Sequence, residues 1–237
     1  MSGGATIVRA GDSAIVVRFE ERIDPSINAR ALQLGKRVAS WATTGVRDIV
    51  PAFHSVTVHY DPIRTNVQHL VEQLERAVVA EEPEGMADSG RSIEIPVCYG
   101  DDLGPDLSAV ASWANMSATD VVAFHSARAY RVYMLGFLPG FSYLGTVDER
   151  IAVPRLATPR VHVPAGSVAI AGPQTGVYPL DTPGGWHLIG RTPLLMFDAS
   201  RSRPSLLAAG DTVTFRPMNR TEYDRFSGLR DRGHGTC

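Results

Sequence analysis

The chain has 237 residues, and its 23 Lys plus Arg nearly balance its 25 Asp plus Glu, which leaves a formal net charge of −2. This balance disfavours nucleic acid as the main partner, because a surface that neutralises phosphates needs a clear excess of Arg and Lys, and a hydrophobic content of 44% disfavours intrinsic disorder. No apolar run approaches the roughly 20 residues of a membrane span, and residues 1–11 lack the basic and apolar stretches of a secretion signal, so we expect a cytoplasmic protein without a membrane partner.

Residues 1–84 predict a small α+β domain with the element order ββαββα. Alternating side chains predict strands over residues 6–10, 14–19, 46–50 and 55–60. Asp24 before Pro25 predicts a helix start, because Asp accepts hydrogen bonds from the first-turn amides and Pro has no amide that would go unpaired there. Apolar residues then recur at helical spacing at Ile27, Ala31, Leu34, Val38 and Trp41.

A second amphipathic helix follows these strands. Thr65 and Gln68 match a capping box at its start. Its apolar face comprises Val67, Leu70, Val71, Leu74 and Val78. Two such helices can pack on one face of a small sheet. Residues 81–91 are polar and lack periodicity, and we place a linker over 85–91.

A second domain is predicted over residues 92–218. Its first elements are a strand at 93–97 and short helices over 106–114 and 121–126. Ser117 and Asp120 have capping-box spacing before the second helix. Residues 136–193 hold 8 of the 16 prolines and 9 of the 22 glycines, which forbids long helices. Short strands are predicted over 161–163, 168–171, 187–189, 194–197 and 213–215. This pattern suggests a β-barrel or sandwich, followed by a polar tail over 219–237.

Several familiar chemistries are disfavoured. The sequence lacks the glycine-rich phosphate loop that ends in Lys-Ser or Lys-Thr. Its one lysine, Lys36, falls on the solvent side of the first helix, which disfavours biotin attachment and Schiff-base chemistry. Cys98 and Cys237 are too few and too isolated for a disulfide framework or a zinc site. The histidines lack the close pairing of a helical metal site, so we expect no bound metal.

The run from residue 131 to residue 197 is the strongest candidate site. Aromatic residues alternate there with turn glycines and prolines, at Tyr133, Phe137, Phe141, Tyr143, Tyr178 and Trp186. Polar side chains are interspersed at Arg155, Arg160, Gln174 and Arg191. Glycine-rich loops bring backbone amides close to a ligand, while aromatics and arginine suit a small acid or a peptide partner. Structural glycines and core aromatics would explain the same pattern without any site.

Two long motifs in this run resemble the KipI-like family. They are GFLPGFSYLG at 136–145 and TPRVHVPAGSVAIAGPQTGVYPLDTPGGWHLIGRTPLLMFD at 158–198. Two shorter segments agree as well, VHYDP at 58–62 and IEIPVCYG at 93–100, and the resemblance covers about residues 5–218. Ser142 and Thr146 stand where the family usually has proline and glycine. The family includes the B subunit of bacterial ATP-dependent 5-oxoprolinase, often labelled allophanate hydrolase subunit 1.

This resemblance implies both a fold and an activity. The implied fold is α+β, with a ferredoxin-like first domain and a cyclophilin-like β-barrel second domain. The implied activity is hydrolysis of 5-oxo-L-proline to L-glutamate, driven by ATP as the cofactor of a complex. The implied partners are the C subunit of that enzyme, itself a related cyclophilin-like protein, and its A subunit, a LamB/YcsF-type protein. The chain would supply part of a shared site and would not be active alone.

On that hypothesis, seven residues are candidates for the site. Arg160 or Arg191 would hold the substrate carboxylate or a phosphoryl group, since a guanidinium fork matches either. Gln174 would hydrogen-bond the lactam amide. His125 is the best available proton-transfer group, with a structural histidine at a helix end as the alternative. The walls that pack on the substrate ring would be Tyr143, Tyr178 and Trp186.

Three other functions stay open at this point. KipI itself inhibits a sporulation sensor histidine kinase, and the GFLPGF region would then be a docking surface with exposed aromatic anchors. Similar domain pairs are fused in urea carboxylases, so an allophanate or urea-amide substrate fits the family too. The barrel also resembles cyclophilins, which leaves a peptidyl-prolyl isomerase, because a fold does not fix a function.

Overall fold

The computed structural model describes residues 5–80 and 90–233 and divides into two compact units, residues 1–89 and 90–237. The predicted linker lies outside the described residues over 85–89, as does Cys237. No helix of the described ranges is long and apolar enough to cross a membrane.

The first unit is a four-stranded antiparallel sheet with two helices. Its elements are β1 (Thr6–Arg9), β2 (Ala14–Arg18), α1 (Pro25–Ser40), β3 (Val46–Pro51), β4 (Ser55–Tyr60) and α2 (Val67–Val79). The strands lie in the order β1-β2-β4-β3. The predicted order ββαββα is therefore confirmed. The core of this unit joins the helices to the sheet and includes Ile15, Val17, Leu34, Val38, Val56, Val58, Leu70 and Leu74.

The two helix starts of this unit have different outcomes. Asp24 caps α1 as predicted, and its Oδ1 accepts hydrogen bonds from the Ser26 and Ile27 amides at 2.8 and 3.4 Å. The predicted capping box of Thr65 and Gln68 is wrong. Helix α2 begins one residue later, and the side chain of Asn66 accepts from the His69 amide at 3.1 Å. The Thr65 hydroxyl instead donates to the Thr44 carbonyl oxygen at 3.1 Å.

The second unit is built around a closed seven-stranded barrel. Its strands are β5 (Ser92–Tyr99), β6 (Ala129–Leu135), β7 (Ser142–Gly145), β8 (Arg160–Val163), β9 (Ser167–Ala171), β10 (Gln174–Val177), β11 (Thr182–Gly184), β12 (His187–Arg191) and β13 (Thr212–Pro217). The barrel order is β10-β7-β6-β13-β5-β12-β9. All barrel pairs are antiparallel except β13 with β5. Strands β8 and β11 form a separate two-stranded ribbon.

The helices of this unit match the predictions in part. They are α3 (Leu107–Trp113), α4 (Ala118–Ser126) and α5 (Arg220–Gly233), with a 3-10 turn over Glu149–Ile151. The capping box of Ser117 and Asp120 is confirmed, with both backbone amides bonded to the opposite side chain at 3.1 Å. The polar tail contains α5, which sequence analysis missed although Asn219 and Glu222 bond reciprocally at capping-box spacing.

The strand predictions in the turn-rich region were incomplete. The strand predicted over 194–197 is wrong, since only Phe197 forms an isolated bridge, with Ser205. Strands β6, β7, β10 and β11 were not predicted. In β10 the sequence contains Gly176, a residue that disfavours strands by propensity. A Cβ atom at Gly176 would lie 3.2 Å from the rings of both Phe141 and Trp186, so ring packing overrides that propensity.

Candidate functional site

A pocket of about 220 Å³ lies on the outer wall of the barrel. It is lined by Phe137, Phe141, Tyr143, Arg155, Ala171, Gln174, Tyr178, Gly184, Gly185 and Trp186. Strand alternation explains this position. On β7, Leu144 belongs to the barrel core while Tyr143 joins a second cluster outside it. On β10, Thr175 is fully buried and bonds to His125 inside the barrel, whereas Gln174 faces the pocket.

A buried phenylalanine organises the aromatic wall. Phe141 is 2% exposed, and it meets the rings of Tyr143, Tyr178 and Trp186 edge to face at centroid distances of 4.9, 5.2 and 5.6 Å. Such T-shaped pairs are favourable because the positive ring edge meets the negative face. The wall is therefore rigid before any ligand arrives.

The ribbon of β8 and β11 closes against this wall. Gly184 lies so close to Tyr178 that a Cβ atom there would stand 2.5 Å from the phenolic oxygen. Only a residue without a side chain fits this approach. Gly184 thus lets the ribbon pack directly on the pocket ring.

The polar equipment of the pocket is one cation and one amide. Arg155 is exposed at the rim, and no carboxylate of the described residues pairs with it. None of the lining residues is acidic. Burial raises the pKa of Tyr143, and Arg155 opposes that rise. Burial also raises the pKa of Tyr178, against a hydrogen bond from the Trp186 amide and the charge of Arg155. Both phenols therefore stay protonated hydrogen-bond donors in a positively charged pocket.

The structure brings together four of the seven sequence-predicted residues. Tyr143, Gln174, Tyr178 and Trp186 all line this one pocket. Pairing of β10 with β7 sets Gln174 beside Gly145 and Gly176 opposite Tyr143, which explains how residues about 30 positions apart converge. The other three candidates, His125, Arg160 and Arg191, do not line it.

His125 lies in the interior of the barrel unit and is 0% exposed. Its Nδ1 is 2.8 Å from the Tyr99 hydroxyl, and its Nε2 is 2.9 Å from the Thr175 hydroxyl. Since the Thr175 hydroxyl donates to the Ala169 carbonyl oxygen, Nε2 must carry the proton and Nδ1 must accept from Tyr99. The ring also stacks on Phe215 at 4.5 Å. Burial lowers the pKa of His125 to about 3. The imidazole is thus a neutral structural group, and its position does not support the expected proton transfer to substrate.

Both sequence-predicted arginines are occupied elsewhere. Arg160 forms an ion pair with one oxygen of Asp106, whose other oxygen accepts from the Leu188 amide at 2.7 Å. Arg160 still lies close enough to the pocket to lower the pKa of Tyr178. Arg191 is at the end of β12, where its charge lowers the pKa of Asp102 and Asp181.

The ion pair of Asp106 and Arg160 gives a testable stability effect. Asp106→Ala should lower the unfolding free energy by about 3 kcal/mol, because it strands a partly buried guanidinium and an amide. Urea unfolding at pH 7.5 measures this loss. Asp102→Ala removes an exposed partner of Arg220 and should cost less than about 1 kcal/mol. Equal losses in the two variants would show that the Asp106 pair has no special role.

Sequence reasoning missed Arg155 as the pocket cation. The residue was visible in the turn-rich run, but no strand pattern covers it, so its direction had no signal. Phe137 and Phe141 were also seen there without an assigned role. Their shared signal is the Gly-Phe repeat of GFLPGF, at 136–141.

Comparison with known proteins adds relatives over nearly the whole chain. Residues 5–207 match the family described as carboxyltransferase domain, subdomain C and D. The chain is 43% identical to the B subunit of 5-oxoprolinase from Bacillus subtilis (strain 168), covering 93% of this chain and 95% of that protein. It is 44% identical to the B subunit of 5-oxoprolinase from Escherichia coli O157:H7, covering 88% and 94%. The crystal structure of TTHA0988 superposes with a TM-score of 0.78 at 39% identity over 87% of this chain. This chain spans 40% of the length of TTHA0988.

Proposed function

The chain belongs to the family of carboxyltransferase domains, subdomain C and D, and from this premise we propose that it is the B subunit of an ATP-dependent 5-oxoprolinase. Such a complex hydrolyses 5-oxo-L-proline to L-glutamate. Two relatives that are 43% and 44% identical over most of the chain carry this name. The structural observation that carries the proposal is a pocket with aromatic walls, one cation and one amide. Those groups complement a small flat ring that bears a single carboxylate.

We assign the substrate contacts within this pocket as follows. The Arg155 guanidinium takes the carboxylate, in place of Arg160 and Arg191, because it lines the pocket and has no carboxylate partner among the described residues. Gln174 hydrogen-bonds the lactam amide, as expected from the sequence. The rings that pack on the two faces of the lactam belong to Tyr143, Tyr178 and Trp186. The tyrosine hydroxyls, which remain protonated, donate to substrate oxygens.

ATP solves the chemical problem of a stable lactam. Transfer of the γ-phosphoryl group to the lactam carbonyl oxygen releases ADP and leaves an imidate-like carbon. Water adds to that carbon, the ring C–N bond breaks to give the free amine, and phosphate departs. We propose that nucleotide binding and water activation involve partner proteins, since His125 does not reach the pocket. The partners would be the C subunit of the enzyme, a related cyclophilin-like protein, and its A subunit, of the LamB/YcsF type. The ferredoxin-like and cyclophilin-like names for the two units are also part of this proposal.

The isolated chain should show negligible 5-oxoprolinase activity. We expect glutamate release from 5-oxo-L-proline and ATP only when this chain is combined with both partner proteins, because it supplies part of a shared site. The measurement is an assay of the three co-expressed proteins with each component omitted in turn.

Robust activity of the isolated chain would contradict the shared site. A stable complex without activity would point to a different amide substrate. Failure to form any complex would favour a kinase regulator.

A further inference from the structure

Phe137 occupies a strained turn on the rim of the pocket. Its φ is +68°, in the region that disfavours residues other than glycine. The Leu138 amide donates to the Gly136 carbonyl oxygen at 2.8 Å, which closes a three-residue γ-turn centred on Phe137. The γ-turn with positive φ is the rare and strained form.

Neighbouring contacts fix this turn. The Gly136 amide donates to the Phe141 carbonyl oxygen at 3.1 Å, and the Phe141 amide donates to the Leu138 carbonyl oxygen at 3.0 Å. Gly140 has a φ of +82° and lies so close to Phe197 that a Cβ atom would stand 2.7 Å from the Phe197 Cβ. The loop therefore holds residue 137 in one conformation, and its side chain has one direction.

The side chain gains little from folding in return. Phe137 is 62% exposed, although its ring meets Phe141 edge to face at 5.6 Å. A large apolar residue in a glycine-type conformation, left mostly in water, adds strain without burying its surface. Strained residues of this kind persist at ligand clamps, where the surrounding structure over-determines them.

We propose that Phe137 is a ligand-contact residue, a rim clamp that closes over the ring of a small molecule bound against Tyr143, Tyr178 and Trp186. Three observations carry this: the ring lines the same pocket, it stands beside the buried Phe141, and its backbone is strained while its side chain is exposed. The proposal rests on the proposed function only in that this pocket is the substrate site. The clamped ligand belongs to the class of flat five- or six-membered rings with one carboxylate, because Arg155 is the one charged lining residue.

Two substitutions separate the ring from the strain. Phe137→Ala removes the ring and keeps the Cβ atom, and hence the strain. Phe137→Gly removes both. We expect each variant to weaken binding about tenfold, the size of one aromatic contact. The urea midpoint of Phe137→Gly should lie above that of Phe137→Ala, because glycine accepts positive φ. Phe137→Tyr keeps the ring and should bind as the wild type does.

The experiment is calorimetric titration of the full chain with two probes, 5-oxo-L-proline and pyrrole-2-carboxylate. Trp186→Ala identifies binding in this pocket by abolishing it. Phe226→Ala is the matched control, since Phe226 is 49% exposed on the same unit but does not line the pocket. It should leave both affinities unchanged.

The outcomes distinguish the clamp from the proposed substrate. Binding of pyrrole-2-carboxylate without binding of 5-oxo-L-proline would count against the substrate, while a tenfold loss in Phe137→Ala would still support the clamp. Wild-type affinity in Phe137→Ala and Phe137→Gly would overturn the clamp, as would failure of both probes to bind the wild type. Unchanged ligand affinity with loss of binding to the partner proteins would assign Phe137 to a protein interface instead.

Discussion

Replacing Arg155 by glutamine should raise the KM for 5-oxo-L-proline in the assembled complex roughly 10- to 100-fold. A charge-assisted hydrogen bond contributes about 1.5–3 kcal/mol, and about 1.4 kcal/mol corresponds to a factor of ten. Because the carboxylate does not take part in ring opening, the guanidinium binds ground state and transition state alike. We therefore expect kcat to change little. Initial rates of glutamate release over a range of 5-oxo-L-proline concentrations measure both constants.

Two comparisons make this prediction specific. 2-Pyrrolidinone is the same lactam without the carboxylate, and its binding should be equal in the wild type and in Arg155→Gln. Arg203→Gln removes an exposed arginine of the same unit that does not line the pocket, and it should leave the KM unchanged. If Arg155→Gln keeps the wild-type KM while Arg160→Ala or Arg191→Ala raises it, the sequence-based assignment of the anion site would be the better one.

The difference between Arg155 and Arg160 shows where sequence reasoning ends. Both lie in one turn-rich segment, five positions apart, with no periodic pattern to give either side chain a direction. What separates them is Asp106, which pairs with Arg160 across 54 positions of sequence. A contact of that range leaves no local trace. The four ring and amide residues were easier to find, since aromatics and glutamine among turn glycines already suggest a small-molecule site.

Local signals also explain which elements were predicted. Helix α1 begins at Pro25 because the Asp24 cap is encoded in adjacent residues. Strand β10 was missed because Gly176 is required by rings from elsewhere in the fold. The barrel needed its strand pairing to be known, and pairing is a long-range property that alternation in short segments does not specify.

His125 illustrates the same limit, and its burial leads to the second large effect. Helical spacing identifies a histidine near the end of α4, but the same spacing suits a ligand or a core residue. In the structure, the Tyr99 hydroxyl, the imidazole and the Thr175 hydroxyl form a buried chain of hydrogen bonds. Its last donor bonds to the Ala169 carbonyl oxygen. The chain links β5, α4, β10 and β9 within one unit, so its loss should loosen the whole barrel.

We expect His125→Gln to lower the unfolding free energy by about 3 kcal/mol at pH 7.5, from the lost stacking on Phe215 and imperfect hydrogen bonds. The loss should shrink with acidification. Burial holds the pKa of His125 at about 3 in the folded state, below the value of about 6.5 for an unfolded histidine. Below about pH 6.5 the unfolded wild type binds a proton that the folded state does not, and wild-type stability falls by about 1.4 kcal/mol per pH unit. Glutamine has no such titration.

The two stabilities should therefore converge by about 2 kcal/mol between pH 7.5 and pH 5. Urea unfolding of both proteins, followed by tryptophan fluorescence at half-unit pH steps, measures the difference directly, and subtraction removes the contribution of groups that titrate alike in both. His59→Gln replaces an exposed histidine on β4 and should run parallel to the wild type at every pH. A difference between wild type and His125→Gln that stays constant down to pH 5 would mean that the imidazole takes up a proton in the folded state. His125 would then be open to solvent, and its expected role in proton transfer would have to be reconsidered.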